Sequence, residues 1–460
     1  DAIVIPSEVR SAADARKLVE ERDAQHVTLG VPDLQGFLRG KYVSREKFFS
    51  ALDKGFGLPA VIYALDPTDV ILDVTGLSDP ASAYHDATVR VLPETCREIP
   101  WESPHRNLFF LGQFEGDTLR YCPRAVYQRV AERAAAMGFR PFHSSELEFT
   151  LFEETARSAF EKGYRNLQIS SPHKSYEVLL RQEVRAEFHN GLMDMCQTMN
   201  LPLESVHEEM GPGFMEAALR YDEGVSAPDK AVIFKTFAKA YAQRQDMLIT
   251  FMARWSNNAD GQSGHVHISL RDREGKPVFH DPAGERGMSQ TMRYFLGGMQ
   301  ALMPELLLLL GPNINSFKRY LPGIFSPIAA TWGFENRTCA LRVIPGAPMS
   351  QRIECRTPGA DANPYLSMAC LLGAGLWGIE HRLEPSVPMV GNVYMQEIPE
   401  PLKFPASFVE AIDRFGNSKI ARELFGDGFV DFFAESRAAQ ERDFRGLVSD
   451  VELMRFFEYI

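Results

Sequence analysis

Residues 144–152 read SSELEFTLF, with Leu147, Phe149 and Leu151 alternating with Glu146, Glu148 and Thr150. Side chains two apart on a strand point to the same face. The spacing therefore sets two carboxylates side by side, and buried like charges need a cation or a proton. Three more segments share this pattern. In GHVHISL, His265, His267 and Ser269 alternate with Val266, Ile268 and Leu270. In QRIECRT, Arg352, Glu354 and Arg356 alternate with Ile353 and Cys355. In SVHEEMGPGFMEAALRY, Glu209 and Glu216 bracket a Gly-Pro-Gly turn.

Any one of these polar fronts could be a solvated face with Glu and Arg paired across strands. Together the named positions carry five carboxylates and two histidines with little lysine, which calls for cations. Oxygen ligands with one imidazole suit Mg²⁺ or Mn²⁺ better than zinc. The arginines suit carboxylate or phosphate groups held in bidentate fashion. Metal, arginine and carboxylate make up the tool set for phosphoryl transfer from a nucleotide. No GxxxxGK[ST] is present, so a P-loop is not the phosphate cradle.

These segments need a scaffold. Residues 8–26 read as a first helix, and VTLGVPDLQGFLRGKYVSREKF as two strands around a turn at Asp33–Gly36. VIYALDPTDVILDV adds further strand. A Pro-punctuated stretch, LPETCREIPWESPHRN, is the linker candidate. Helical periodicity marks 123–139, 175–200, 226–254, 290–310 and 363–383. The expected class is α+β, with a small N-terminal domain over 1–110 and a larger one over 111–460.

The 460 residues carry a net charge of −12, which argues against nucleic acid or an anionic membrane surface as partner. No apolar run reaches the length of a membrane span. LMPELLLLLG reads as a buried helix, and the N-terminus lacks the pattern of a secretory signal. Six cysteines without CxxC or paired spacing read as reduced thiols of a cytoplasmic protein.

The ordered motifs Glu-x-Glu, HEEMGPGFME, DGQSGHVHISL, NSFKRYLPG, ENRTCALRV and RIECRTPGADANPYL resemble glutamine synthetase over roughly residues 25–460. The resemblance implies an N-terminal β-grasp domain and a C-terminal catalytic α/β domain with a curved antiparallel sheet. It implies a homo-oligomer, a dodecamer of two hexameric rings with sites between neighbours. It also implies an ATP-dependent reaction through γ-glutamyl phosphate, with two or more divalent cations. By position, Glu148, Glu209 and Glu216 resemble the ligands of one cation, and Glu146, His265 and Glu354 those of the second. Glu204, Tyr221, His267 and Ser269 resemble nucleotide contacts. Arg337 and Arg342 resemble the arginines that bind the phosphates and neutralise charge in catalysis. Gly261, Arg319 and Arg356 resemble the glutamate-binding set.

Two positions depart from glutamine synthetases proper. The flap glutamate thought to take a proton from ammonium is Phe325 here, counting from Arg319 through Pro322 and Gly323. The aspartate of the loop lent to a neighbour's site falls at Gly57, in GFGLPA. Loss of both anions leaves a roomier, more apolar wall, which suits an organic amine. The pattern resembles γ-glutamylpolyamine synthetases and related ligases, implying a polyamine or alkyl monoamine substrate taken up for catabolism. Ordinary glutamine synthetase and a non-catalytic relative are the alternatives. Tyr394 falls where some bacterial glutamine synthetases are adenylylated; surface packing is its expected role. Met349 lies near the position of a lost flexible-loop lysine.

Overall fold

The computed structural model describes residues 5–102 and 107–460. The N-terminal part is one sheet of β1 (His26–Pro32), β2 (Leu38–Ser44), β3 (Phe56–Pro59), β4 (Asp86–Val91), β5 (Arg97–Glu98) and β6 (Leu108–Phe114). The main path runs β2-β1-β6-β4-β3, with β5 on β6. β1 and β2 form the expected hairpin, turned by Asp33, whose carboxylate accepts the N–H groups of Gln35 and Phe37. β1 then pairs in parallel with β6, and the helix Arg45–Lys54 crosses between. This is the β-grasp arrangement.

Two expectations here are corrected. VIYALDPTDVILDV is not strand: Ala60–Ala64 is a 3-10 helix, and Asp66 caps a turn by accepting the Thr68 and Val70 N–H groups. Pro67, in the middle of the segment, cannot donate to a ladder, which fits the change. The Pro-punctuated stretch is not a free linker over its described part, because Arg97–Glu98 pair with β6 and Ile99 is buried. Its residues 103–106 lie outside the described residues.

The larger sheet holds β7 (Arg140–Phe152), β8 (Leu203–Glu208), β9 (Phe214–Leu219), β10 (Asp222–Glu223), β11 (Leu248–Thr250), β12 (Gly264–Arg271), β13 (Trp332–Phe334), β14 (Leu341–Ile344) and β15 (Arg352–Cys355). Its path is β13-β14-β15-β12-β7-β9-β8, with β10 and β11 on β7. It is antiparallel except for β13 beside β14, which are parallel. β11 falls inside 226–254, where helix was expected throughout; the helix ends at Arg244. The helical window 175–200 divides into Leu179–Glu183 and Ala186–Thr198.

Behind the sheet, the helix Pro364–Glu380 is buried along nearly its whole length. It crosses the helix Gln290–Leu306 at a glycine contact, where a Cβ on Gly298 would stand 2.6 Å from the Gly378 Cα. Backbones this close exclude any side chain. Leu306 to Leu310 are fully buried, as LMPELLLLLG predicts. A Leu or Phe so enclosed contributes about 1.5–3 kcal/mol. The six cysteines are free and buried. Among the described residues no helix is long and apolar enough to cross a membrane.

Candidate active site

Strand register brings the polar fronts together, because residues directly opposite on antiparallel strands share a face. His265 on β12 faces Glu146 on β7. Glu354 on β15 faces His267 on β12 on one side and Arg342 on β14 on the other. Glu148 on β7 faces Glu216 on β9, which in turn faces His207 on β8.

Two groups of metal-capable donors result, each with its ligand atoms within 4.8 Å of one another. One is Glu146, His265 and Glu354, the expected second set. The other is His207, Glu209 and Glu216. Glu148 was expected beside Glu209 and Glu216; its carboxylate accepts the Ser263 N–H at 3.0 Å, and burial raises its pKa.

The electrostatics show a crowd of anions short of positive charge. Burial pushes the Glu216 carboxyl up to about 10, with Glu146 and Glu209 adding to the rise against a hydrogen bond to His207. His207 is raised to about 10 by its bonds to Glu209 and Glu216. Glu209 is held at about 2, against burial, by the same His207 contact. In the other group, burial would raise Glu146 and Glu354, but both are held low, with hydrogen bonds to His265 first among the causes. Oxygen and imidazole donors gathered in an anionic, buried row fit Mg²⁺ or Mn²⁺.

The arginines divide by what holds them. Arg342 donates to Glu354 at 3.0 Å and Glu335 at 3.0 Å, and among the described residues no acceptor meets its Nε–H. Arg356 donates to Glu354 at 2.9 Å. Arg319 is enclosed, its guanidinium on the carbonyls of Thr357 and Arg356 and on Ser263 Oγ. Gly261 lies against it, where a Cβ would stand 2.5 Å from the Arg319 Cγ. Arg337 is exposed and acts electrostatically on Tyr176, whose ring meets His207 edge-on. Gly57 is not gathered with these groups: on β3, the atoms nearest a Cβ there all belong to Asp86.

Beside the Glu146 group opens a cleft of about 320 Å³. It collects the expected nucleotide contacts Glu204, Tyr221, His267 and Ser269, and Met349 as well. Arg271 covers the Phe142 ring at 3.9 Å and the Tyr221 ring at 5.8 Å. The two rings lie at 62° to each other with the guanidinium over them, and ring faces and guanidinium planes form the kind of platform on which a base stacks. Arg352 donates to His267 Nδ1 at 3.0 Å, which leaves Nε2–H to donate to Glu146 at 2.6 Å.

The family profile of the glutamine synthetase catalytic domain matches residues 120–456. The chain belongs to the glutamine synthetase family. It is 36% identical to type-1 glutamine synthetase 2 of Dictyostelium discoideum over 94% of this chain and 84% of that protein. It is 36% identical to gamma-glutamylethanolamide synthetase of Streptomyces coelicolor over 96% of this chain and 94% of that protein. A solved structure of a GmaS–ADP complex shares the fold with a TM-score of 0.84 at 23% identity, covering 96% of this chain and 99% of that one.

The segment expected to form the flap carries a strained backbone position. Phe325 is 63% exposed, and its φ of +42° lies in the left-handed region. A bulky residue held there is strained, and such strain concentrates at functional sites. Its ring rests on that of Tyr394, centroids 5.5 Å apart. The packing role expected for Tyr394 is therefore present, though toward the flap. Sequence reasoning named Arg352 only as an arginine of a polar front, and named neither His207, as a donor, nor Arg271 and Ser144, which line the cleft with it. His-x-Glu in SVHEE was a signal for His207; the others are placed by strand pairing.

Proposed function

We propose that the protein is an ATP-dependent ligase that joins the γ-carboxylate of glutamate to an organic amine. A γ-carboxylate oxygen of glutamate attacks the γ-phosphorus of ATP and ADP leaves. The amine nitrogen then attacks the acyl carbon of γ-glutamyl phosphate, loses a proton, and phosphate departs. Arg342, tied to Glu354 and with a free Nε–H, faces the developing phosphoryl charge together with Arg337. Glu204, Tyr221, His267 and Ser269 hold the nucleotide in the cleft, with Arg271 over the ring platform. Gly261, Arg319 and Arg356 hold glutamate. Mg²⁺ or Mn²⁺ held by Glu146, His265 and Glu354, and by His207, Glu209 and Glu216 with Glu148 behind, would supply charge neutralisation to the phosphates.

Phe325 carries the choice of an organic amine. A phenyl ring on the Tyr394 ring puts an apolar surface where a carboxylate would attract ammonium. The gamma-glutamylethanolamide synthetase among the relatives supports this reading. Gly57, beside Asp86 and apart from the two donor groups of its own chain, fits a place in a neighbour's site within a dodecamer of two rings, served by the N-terminal domain over 1–110.

The test is product analysis. Purified protein with ATP, Mg²⁺, glutamate, ammonia and a mixture of organic amines should yield γ-glutamyl amides of the organic amines by mass spectrometry, with one ADP and one phosphate for each. Glutamine as the sole product would overturn the organic-amine reading, and no product at all would point to a non-catalytic relative.

A further inference from the structure

Under the flap lies a cavity of about 100 Å³, outside the nucleotide cleft and the two donor groups. Pro322 and Ser326 of the flap form one wall, Thr331 and Thr338 a second, and Tyr394 with Ile398 a third. Its size suits a few carbon atoms. Its position is next to the chemistry. Thr338 directly follows Arg337, and the guanidiniums of Arg356 and Arg319 both act electrostatically on Tyr394. Arg356 in turn bonds Glu354 of the donor group. Tyr394 is shared: it lines the cavity, and its ring also meets that of Phe325.

The polarity of the wall is specific. Among the described residues no Asp or Glu lines this cavity. The polar side chains of its lining are the hydroxyl residues Ser326, Thr331, Thr338 and Tyr394 and the amide of Gln396. The charged groups that act on its Tyr394 wall are the guanidiniums of Arg356 and Arg319. A second ammonium placed here would lose its water, find no carboxylate and face positive charge. The one aromatic ring that lines it among the described residues, Tyr394, offsets only part of that cost. An alkyl or hydroxyalkyl group meets none of these penalties.

Resting on the ligase reading above, we propose that this cavity receives the tail of the amine and selects a short, uncharged one. The substrate is then a small monoamine, with Tyr394 and Phe325 as its specificity-determining residues, and not a polyamine.

The experiment compares n-butylamine with putrescine, which differ by one terminal ammonium, in phosphate release at fixed pH with saturating ATP and glutamate. n-Butylamine should win in kcat/KM by at least about tenfold. Putrescine equal or better overturns the proposal. Hydroxylamine runs alongside as a tailless amine. If γ-glutamyl hydroxamate forms while putrescine wins, only the tail proposal fails; if no hydroxamate or amide forms, the ligase reading fails with it. Gln396→Glu and, separately, Ile398→Asp put a carboxylate on the wall. Either should raise the putrescine to n-butylamine ratio by about fivefold or more, with the KM for ATP within about twofold. A ratio unmoved in both variants, each folded by circular dichroism, also overturns it.

Discussion

Glu148 and Glu216 face each other directly across the ladder between β7 and β9, both buried. Two carboxylates in that position destabilise the metal-free protein and favour binding of a cation. Glu216→Gln should therefore raise the melting temperature of the metal-free protein by a few degrees. Mn²⁺ at about a hundred times its dissociation constant should stabilise the wild type by about 2.7 kcal/mol and the variant much less. Thermal unfolding with and without Mn²⁺ reads both effects. A variant that responds to Mn²⁺ like the wild type would remove Glu216 from the metal site.

Glu354 is almost fully enclosed and takes Arg342, Arg356 and His265 together. Removing it strands buried positive charge, so Glu354→Ala should cost about 3–5 kcal/mol in urea unfolding. Glu354→Gln keeps the shape and some hydrogen bonds. It should unfold closer to the wild type yet lose about a hundredfold or more in turnover, as a lost ligand would.

Arg271 is bound to the site through the Phe142 and Tyr221 rings. Arg271→Ala should raise the KM for ATP about tenfold, the loss of roughly one stacking contact. The KM for glutamate should stay put. Steady-state kinetics with each substrate varied separates the two, and an equal change in both would mean a general loss of the sheet's edge.

His143 is fully buried, bonded through Nε2 to the Tyr127 hydroxyl at 2.6 Å, and burial lowers its pKa to about 3 from 6.5. The folded protein keeps it neutral while the unfolded chain protonates below 6.5. Its contribution to stability is complete above pH 6.5 and is lost as pH falls toward 3. At pH 5 the loss is about 2 kcal/mol relative to pH 7.5. Melting temperatures across pH 7.5 to 5 should fall more steeply in the wild type than in His143→Leu. Parallel profiles would assign the acid sensitivity elsewhere.

Phe325→Glu restores a carboxylate on the flap. The ratio of kcat/KM for ammonia over an alkylamine should rise at least about tenfold, a shift of about 1.4 kcal/mol. Ammonia and alkylamine rates falling together would show that the variant disturbs the flap as a whole.

The strands of the site were legible because polar and apolar residues alternate strictly along them, a period of two that stands although both faces are largely buried. Glu146, His265 and Glu354 could be named from their own segments. What the sequence hides is register: Arg271 and Ser144 reach one cleft because β12 lies beside β7, and no local pattern encodes that. His207 stood in a quoted motif, but its partner Glu216 lies on the neighbouring strand. Residues 248–250 were read as helix because the apolar spacing of the preceding helix runs on past its true end. The Phe325–Tyr394 contact joins two loops far apart in sequence, and loops carry no periodicity to read.

The central claim is that the site favours an organic amine over ammonia. The direct measurement is kcat/KM of the wild type for ammonia and for a short alkylamine, with ATP, Mg²⁺ and glutamate saturating and pH fixed. The account predicts that the alkylamine exceeds ammonia by at least about tenfold. Ammonia equal to or better than every organic amine tried would contradict it, and would make Phe325 a packing residue of a glutamine synthetase.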